Sequence, residues 1–147
     1  MDDRRQLLST LWIFVLLHMV FRDLHQFGNQ AFVADMLRGE ANGIKITEGL
    51  MVVGWLMIEI PLMMVLLSKY LPPKPNAYTN GFAALFTLLI LLSGLATADL
   101  DDWFFTLVEV ASLLYIISIA RKLLRDHAMH RNAKATQGYS DSGLEKP

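Results

Sequence analysis

The side chains with the means to do chemistry in this chain lie in apolar surroundings. In "HMVFRDLHQ", His18, Arg22 and His25 stand at i, i+4 and i+7, which is one helix face. In "GLMVVGWLMIEIPLMMVLL", Glu59 is the lone charge, and Pro61 follows two residues later. Glu48 precedes Glu59 by eleven positions, about 20° from eclipsed on an ideal helix. Asp102 and Glu109, in "ADLDDWFFTLVEV", are seven apart and share a face. Histidines and carboxylates so placed can hold or pass protons, or bind a small polar solute or an ion.

Other chemistries have weaker support. The chain has no cysteine, so thiolate metal sites, disulfides and thiol redox chemistry are excluded. No Gly-rich phosphate loop or nucleophile elbow occurs. His18 and His25 are seven apart rather than in HxxxH spacing, and a haem held by His18 lacks a partner at matching depth. No metal and no cofactor are therefore expected, and an intramembrane His/carboxylate enzyme is the least supported reading.

The elements that must position these groups follow from composition. Hydrophobic residues make up 54% and charged residues 18%, against about 25% charged in soluble domains. The apolar residues are clumped in Leu7–Phe21, Gly49–Leu67, Gly81–Ala98 and Trp103–Ala120. A span needs roughly 20 mostly apolar residues to cross about 30 Å of hydrocarbon. The expected fold is all-α and integral to a membrane. It is a four-transmembrane-helix bundle with spans at about 7–27, 47–70, 78–98 and 100–122. Residues 1–126 form this domain, and the polar tail 127–147 is expected to be cytoplasmic and disordered. No small-x-small cleavage site follows the first run, so it is expected to remain as a span.

Basic residues set the orientation. Arg4, Arg5, Lys69, Lys74, Arg121, Lys122, Arg125, Arg131 and Lys134 all fall on one side. The positive-inside rule makes that side cytoplasmic, with both termini there. "PPKP" is expected to stop span two and open a long link to span three. In the first outer loop, "AFVADMLRG" places Phe32, Val33, Met36 and Leu37 on one face of a short amphipathic helix ending at Gly39. Asn42-Gly43 makes a turn, and Thr47 caps span two. Asp99 is expected to cap span four, with Asp101 and Asp102 in its first turn.

Span two can carry Glu59. A charge at mid-membrane costs about 2.5–3.5 kcal/mol on the insertion scale, and each Leu, Ile or Val returns roughly 0.3–0.6. Pro61 frees a carbonyl near Met57 and is expected to kink the helix. The simplest arrangement turns all three polar lines toward one interior. Arg22 then pairs with Glu109 or Asp23 at similar depth, and Glu59 sits near His18 as a neutral, hydrogen-bonded acid. Glu48 also suits a helix first turn, and Gly94 and Ala98 suit close helix packing.

"LHMVFRDLHQ", "ITEGLMVVGWLMIEIPLMMVLLSKYLP" and "ADLDDWFFTLVEV" together resemble a family of small bacterial four-span membrane proteins known only as a domain of unknown function. The resemblance covers about Leu8 to Ala120. The acid and glycine opening span two are also loosely similar to DoxX-like membrane proteins. The first resemblance implies a bacterial inner-membrane protein and carries no catalytic residue.

The expected partners are the lipid bilayer and either a second copy or a membrane-complex subunit. A net charge of −1 gives no basis for nucleic-acid binding. The residues support binding or translocation of a small polar solute, ion or proton through His18, Arg22, His25, Glu48, Glu59 and Glu109. The alternative is an accessory or structural subunit whose charges pair internally.

Overall fold

A computed structural model describes residues 2–41, 43–93 and 100–142, with side chains described over 3–41, 43–93 and 102–129. Within them are five helices, α1 (Asp2–Gln26), α2 (Gln30–Leu37), α3 (Glu48–Tyr70), α4 (Pro73–Ser93) and α5 (Leu100–Ser142). α1, α3, α4 and α5 are each long and apolar enough to cross a membrane. Between α2 and α3 lies an antiparallel pair, β1 (Glu40–Ala41) and β2 (Ile44–Lys45), in register Glu40 with Lys45 and Ala41 with Ile44.

The four long helices form a ring. α1 packs extensively along α3, α4 along α5, α1 less extensively along α5, and α3 least along α4. Each buried stripe repeats at three and four residues, the spacing of antiparallel bundles. On α1 it is Leu8, Trp12, Val15 and Met19. On α5 it is Thr106, Glu109, Leu113, Ile116, Ala120 and Leu123. α4 contributes a narrow stripe, with Ala77, Ala83 and Ala84 buried. A Cβ built at Gly81 would stand 4.0 Å from the Ala120 Cβ, so the small residues bring α4 close to α5. Outside the stripes a belt of large side chains is exposed, including Phe14, Phe21, Met51, Trp55, Leu66, Phe82, Leu89 and Leu107. Soluble domains do not carry such a belt.

Local signals account for the ends. Asn29 caps α2 by accepting from the Ala31 N–H, and Thr47 caps α3 by accepting from the Leu50 N–H. Gly39 (φ 78°) and Gly43 (φ 75°) take the left-handed conformation after α2 and in the β1–β2 turn, where a side chain would be strained. The hairpin itself was hidden, because two-residue strands leave no alternation to read. Asn42, Gly94, Ala98 and Asp99 lie outside the described residues.

Three boundaries differ from expectation, the first being α1, which starts at Asp2 rather than near 7. α4 starts at Pro73 rather than near 78, leaving only Leu71 and Pro72 as the link from α3. Pro73 sits at the first helical position, where its fixed φ suits a helix and its missing N–H costs nothing. α5 runs unbroken past 122 to Ser142, through the segment expected to be disordered. "RDHAMHRNAKATQ" contains no proline, and its Ala, Arg, Lys, Met and Gln favour helix. α3 continues as helix through Pro61, which is buried.

Beside the α3–α4 link a neutral network crosses the bundle. Trp12 Nε1 donates to Asn80 Oδ1 (2.6 Å), which also accepts from Ser68 Oγ (3.0 Å). Asn80 Nδ2 donates to Asn76 Oδ1 (2.6 Å), and Asn76 Nδ2 to the Ser68 carbonyl (2.6 Å). Ser9 Oγ donates to the Val65 carbonyl (2.8 Å). The Trp12, Asn80, Ser68, Asn76 and Ser9 side chains are all fully buried. Asn80→Ala removes the acceptor of both Trp12 and Ser68. Interhelical hydrogen bonds in membranes average about 0.6 kcal/mol, up to about 1.7, so a loss of about 1–3 kcal/mol is expected. Equilibrium unfolding in detergent measures it, and an Asn80→Ala protein as stable as the parent would refute the network's role.

Candidate functional site

Arg22 continues the buried α1 stripe by one step, from Met19 to 22, and Glu109 is a member of the α5 stripe. Packing α1 against α5 therefore brings them together. Arg22 Nη1 donates to Glu109 Oε2 at 2.9 Å, with the Arg22 side chain 15% and that of Glu109 1% exposed. Arg22 Nε also lies 3.9 Å from Asp23 Oδ1. His18, one turn along α1, points Nδ1 at Glu109 Oε1 across 4.0 Å. Both of these atoms are buried and lack a hydrogen-bond partner among the described residues.

Aromatic rings frame the cluster. His18 packs between Phe14 (5.3 Å between centroids) and Phe105 (5.4 Å), and Phe105 also meets His25 at 5.7 Å. Asp23 and Asp102 lie within electrostatic reach of Glu109. Arg22 thus pairs with two carboxylates, Asp102 adds a third negative charge within reach of both, and a proton or small cation would offset the remaining negative charge. Among the described residues no group of three or more His, Asp or Glu is placed to hold a metal ion.

The line on α3 does not join this cluster. Glu48 is the first residue of α3, exposed beside the Thr47 cap. Glu59 is not beside His18. It is half-buried in a groove of about 290 Å³ between α3 and α4, with Ile60, Met63, Phe82 and Phe86 around it. It makes no hydrogen bond or ion pair among the described residues. The reason is rotational. α3 buries Pro61, Met64 and Ser68, and at about 100° per residue Glu59 lies about 180° from Ser68. Of the residues expected to share one interior, the structure assembles His18, Arg22, Glu109 and Asp102, with His25 against Phe105. It leaves Glu48 and Glu59 apart.

Sequence reasoning missed Phe105 and the Trp12–Asn80–Ser68–Asn76 network. Asn76 and Asn80 are four apart, one helix face, but the expected link placed Asn76 in a loop and the third span at 78. The Arg22–Glu109 pair was readable from matched depth.

A family model for a family of unknown function (DUF6326) matches residues 1–129. No match was found among curated proteins or among solved structures, and no similarity to DoxX-like proteins emerged.

Breaking one member of a buried pair leaves the other charge uncompensated, at a cost of about 3–5 kcal/mol. Glu109→Gln is expected to lose stability on that scale in detergent unfolding. The exchanged pair Arg22→Glu with Glu109→Arg should recover part of it. A silent Glu109→Gln would mean that the pair contributes nothing to holding α1 against α5.

Proposed function

We propose that this chain, which belongs to the DUF6326 family of unknown function through residues 1–129, is a multi-pass protein of the bacterial cytoplasmic membrane. It takes up a proton or a small cation from the outer face at the His18–Arg22–Glu109 cluster. The observation that carries this reading is the facing pair of His18 Nδ1 and Glu109 Oε1, buried, without a hydrogen-bond partner among the described residues and 4.0 Å apart. A shared proton or a small bridging donor is what such a pair lacks. The carboxylate excess around Arg22 favours a cationic ligand over an anionic one.

The orientation rests on the basic residues at the termini and at the α3–α4 link, which put that end in the cytoplasm. The hairpin end, nearer the cluster, is then outside. Toward the cytoplasm the interior is filled by Trp12, Leu8, Leu113 and Ile116 and by the neutral network. That closure supports binding from one side rather than a standing pore.

A second reading is an accessory subunit of a membrane complex. It is favoured by α3, where Thr47 through Leu56 are all exposed and a Cβ at Gly54 would meet nothing. Infrared difference spectra of the protein in nanodiscs, taken between about pH 5 and pH 8 where histidine titrates, separate the readings. Under the first, the Glu109 carboxyl stretch changes together with the His18 share of the imidazole bands; His18→Gln removes that share, leaves the bands of the other three histidines, and shifts the pH at which the carboxyl stretch changes. Spectra that are the same in the parent and His18→Gln reject proton uptake at the cluster.

The orientation has its own check. The chain has no cysteine, so Lys45→Cys and Lys74→Cys introduce single exposed thiols. An impermeant maleimide applied outside intact cells should label position 45 and not 74; the reverse pattern inverts the protein.

A further inference from the structure

Where α1 begins and α3 ends, a pocket of about 430 Å³ is lined by Arg5, Gln6, Thr10 and Lys69. We propose that this pocket binds the phosphate of an anionic phospholipid in the cytoplasmic leaflet, an inference that rests on the orientation above and on no property of the His18 cluster.

The two cations are level because of one hydrogen bond. Ser9 Oγ donates to the Val65 carbonyl and fixes the register of antiparallel α1 and α3. Arg5 is four residues before Ser9, and Lys69 four after Val65. At about 1.5 Å per residue each stands about 6 Å from that bond toward the same end. Neither makes an ion pair among the described residues. Arg4 differs, since its Nη1 is 2.5 Å from Asp126 Oδ2. Among the described residues no carboxylate lines the pocket. A guanidinium, an ammonium and the Gln6 amide therefore converge with no anion between them, which suits a phosphate.

The faces that carry these groups become apolar toward mid-membrane. On α1, Gln6 and Thr10 are followed on the same face by Ile13 and Leu17, both exposed. On α3, Lys69 is preceded by Leu66 and Leu62, also exposed. Thr10 closes the polar part, its hydroxyl donating to the Gln6 carbonyl. A track of large apolar side chains leading away from a cationic pocket matches a phosphate carrying acyl chains. A soluble anion has no use for it. Tyr70, exposed beside Lys69, sits where an interfacial ring is expected.

Native mass spectrometry of the full-length protein in detergent, with phosphatidylglycerol or phosphatidylcholine added, tests the site. The parent should retain phosphatidylglycerol in preference. Near-surface basic residues each contribute on the scale of a several-fold change in lipid affinity, so Arg5→Gln with Lys69→Gln should lower retention about tenfold or more. Lys122→Gln with Arg125→Gln removes the same charge from residues that do not line the pocket and should lower retention clearly less than the pocket pair does. Equal loss in the two double variants would assign the effect to diffuse surface charge and overturn the site. Equal retention of the two lipids by the parent would overturn it as well. Displacement of the lipid by excess inorganic phosphate would make the pocket a soluble-anion site and likewise reject the proposal. A photocrosslinker at Ile13 in the otherwise unchanged chain gives a second measurement free of any folding defect. It should capture phosphatidylglycerol over phosphatidylcholine, and no preference would count against the acyl track.

Discussion

A guanidinium and a carboxylate 2.9 Å apart, with the carboxylate 1% exposed, constrain this molecule more tightly than any apolar contact in it. Leu8, Trp12, Val15 and Met19 would tolerate small rotations of α1 at modest cost. Arg22 would not, because its planar fork must meet one oxygen of Glu109 and each charge is ruinous without the other. The apolar stripe and the ion pair lie on the same line of α1 and the same line of α5. They therefore select one rotational setting together. At the α3–α4 end the same task falls to amides, hydroxyls and an indole. Those bonds are individually weaker in a membrane, but they are many and reach α1, α3 and α4 at once.

The apolar runs, their number and the short amphipathic helix were legible from the sequence, because hydrophobic length and helical period are strong signals. The Arg22–Glu109 pairing was legible because two opposite charges at one depth have few alternatives. What failed was rotation. Glu59 was assumed to face inward because a carboxylate in an apolar run asks for a polar neighbour. Ser68, the small polar residue that does face inward on α3, and the stripe Pro61–Met64–Ser68 carried the correct phase. The α3–α4 link is hidden in the sequence because a proline reads equally as a stop for one helix and as a start for the next, and Pro73 does the second. Phe105 was invisible as a site residue, since nothing in its type separates a ring against two imidazoles from a ring against lipid.

The two halves of α3 are packed differently. Its half next to the hairpin buries nothing, while its other half is bonded to α1 and α4. Glu59 lies where these regimes meet, in a groove walled by α4. An acid so placed is reachable sideways, from the surroundings of the bundle. The two glutamates thus differ in kind: Glu109 is locked between α1 and α5, and Glu59 opens laterally.

The two-residue link between α3 and α4 has a mechanical consequence. Asn76 ties the Ser68 carbonyl across that link, so α3 and α4 cannot slide past one another there. The bundle divides into two well-packed arms, α1 with α3 and α4 with α5, fastened together at this end. Any parting of the arms is resisted at this end by the Asn76 and Asn80 bonds and would have to open from the opposite one. The clasp across that opening is Arg22 against Glu109. Whatever competes for either group acts with the full length of the arms as its lever.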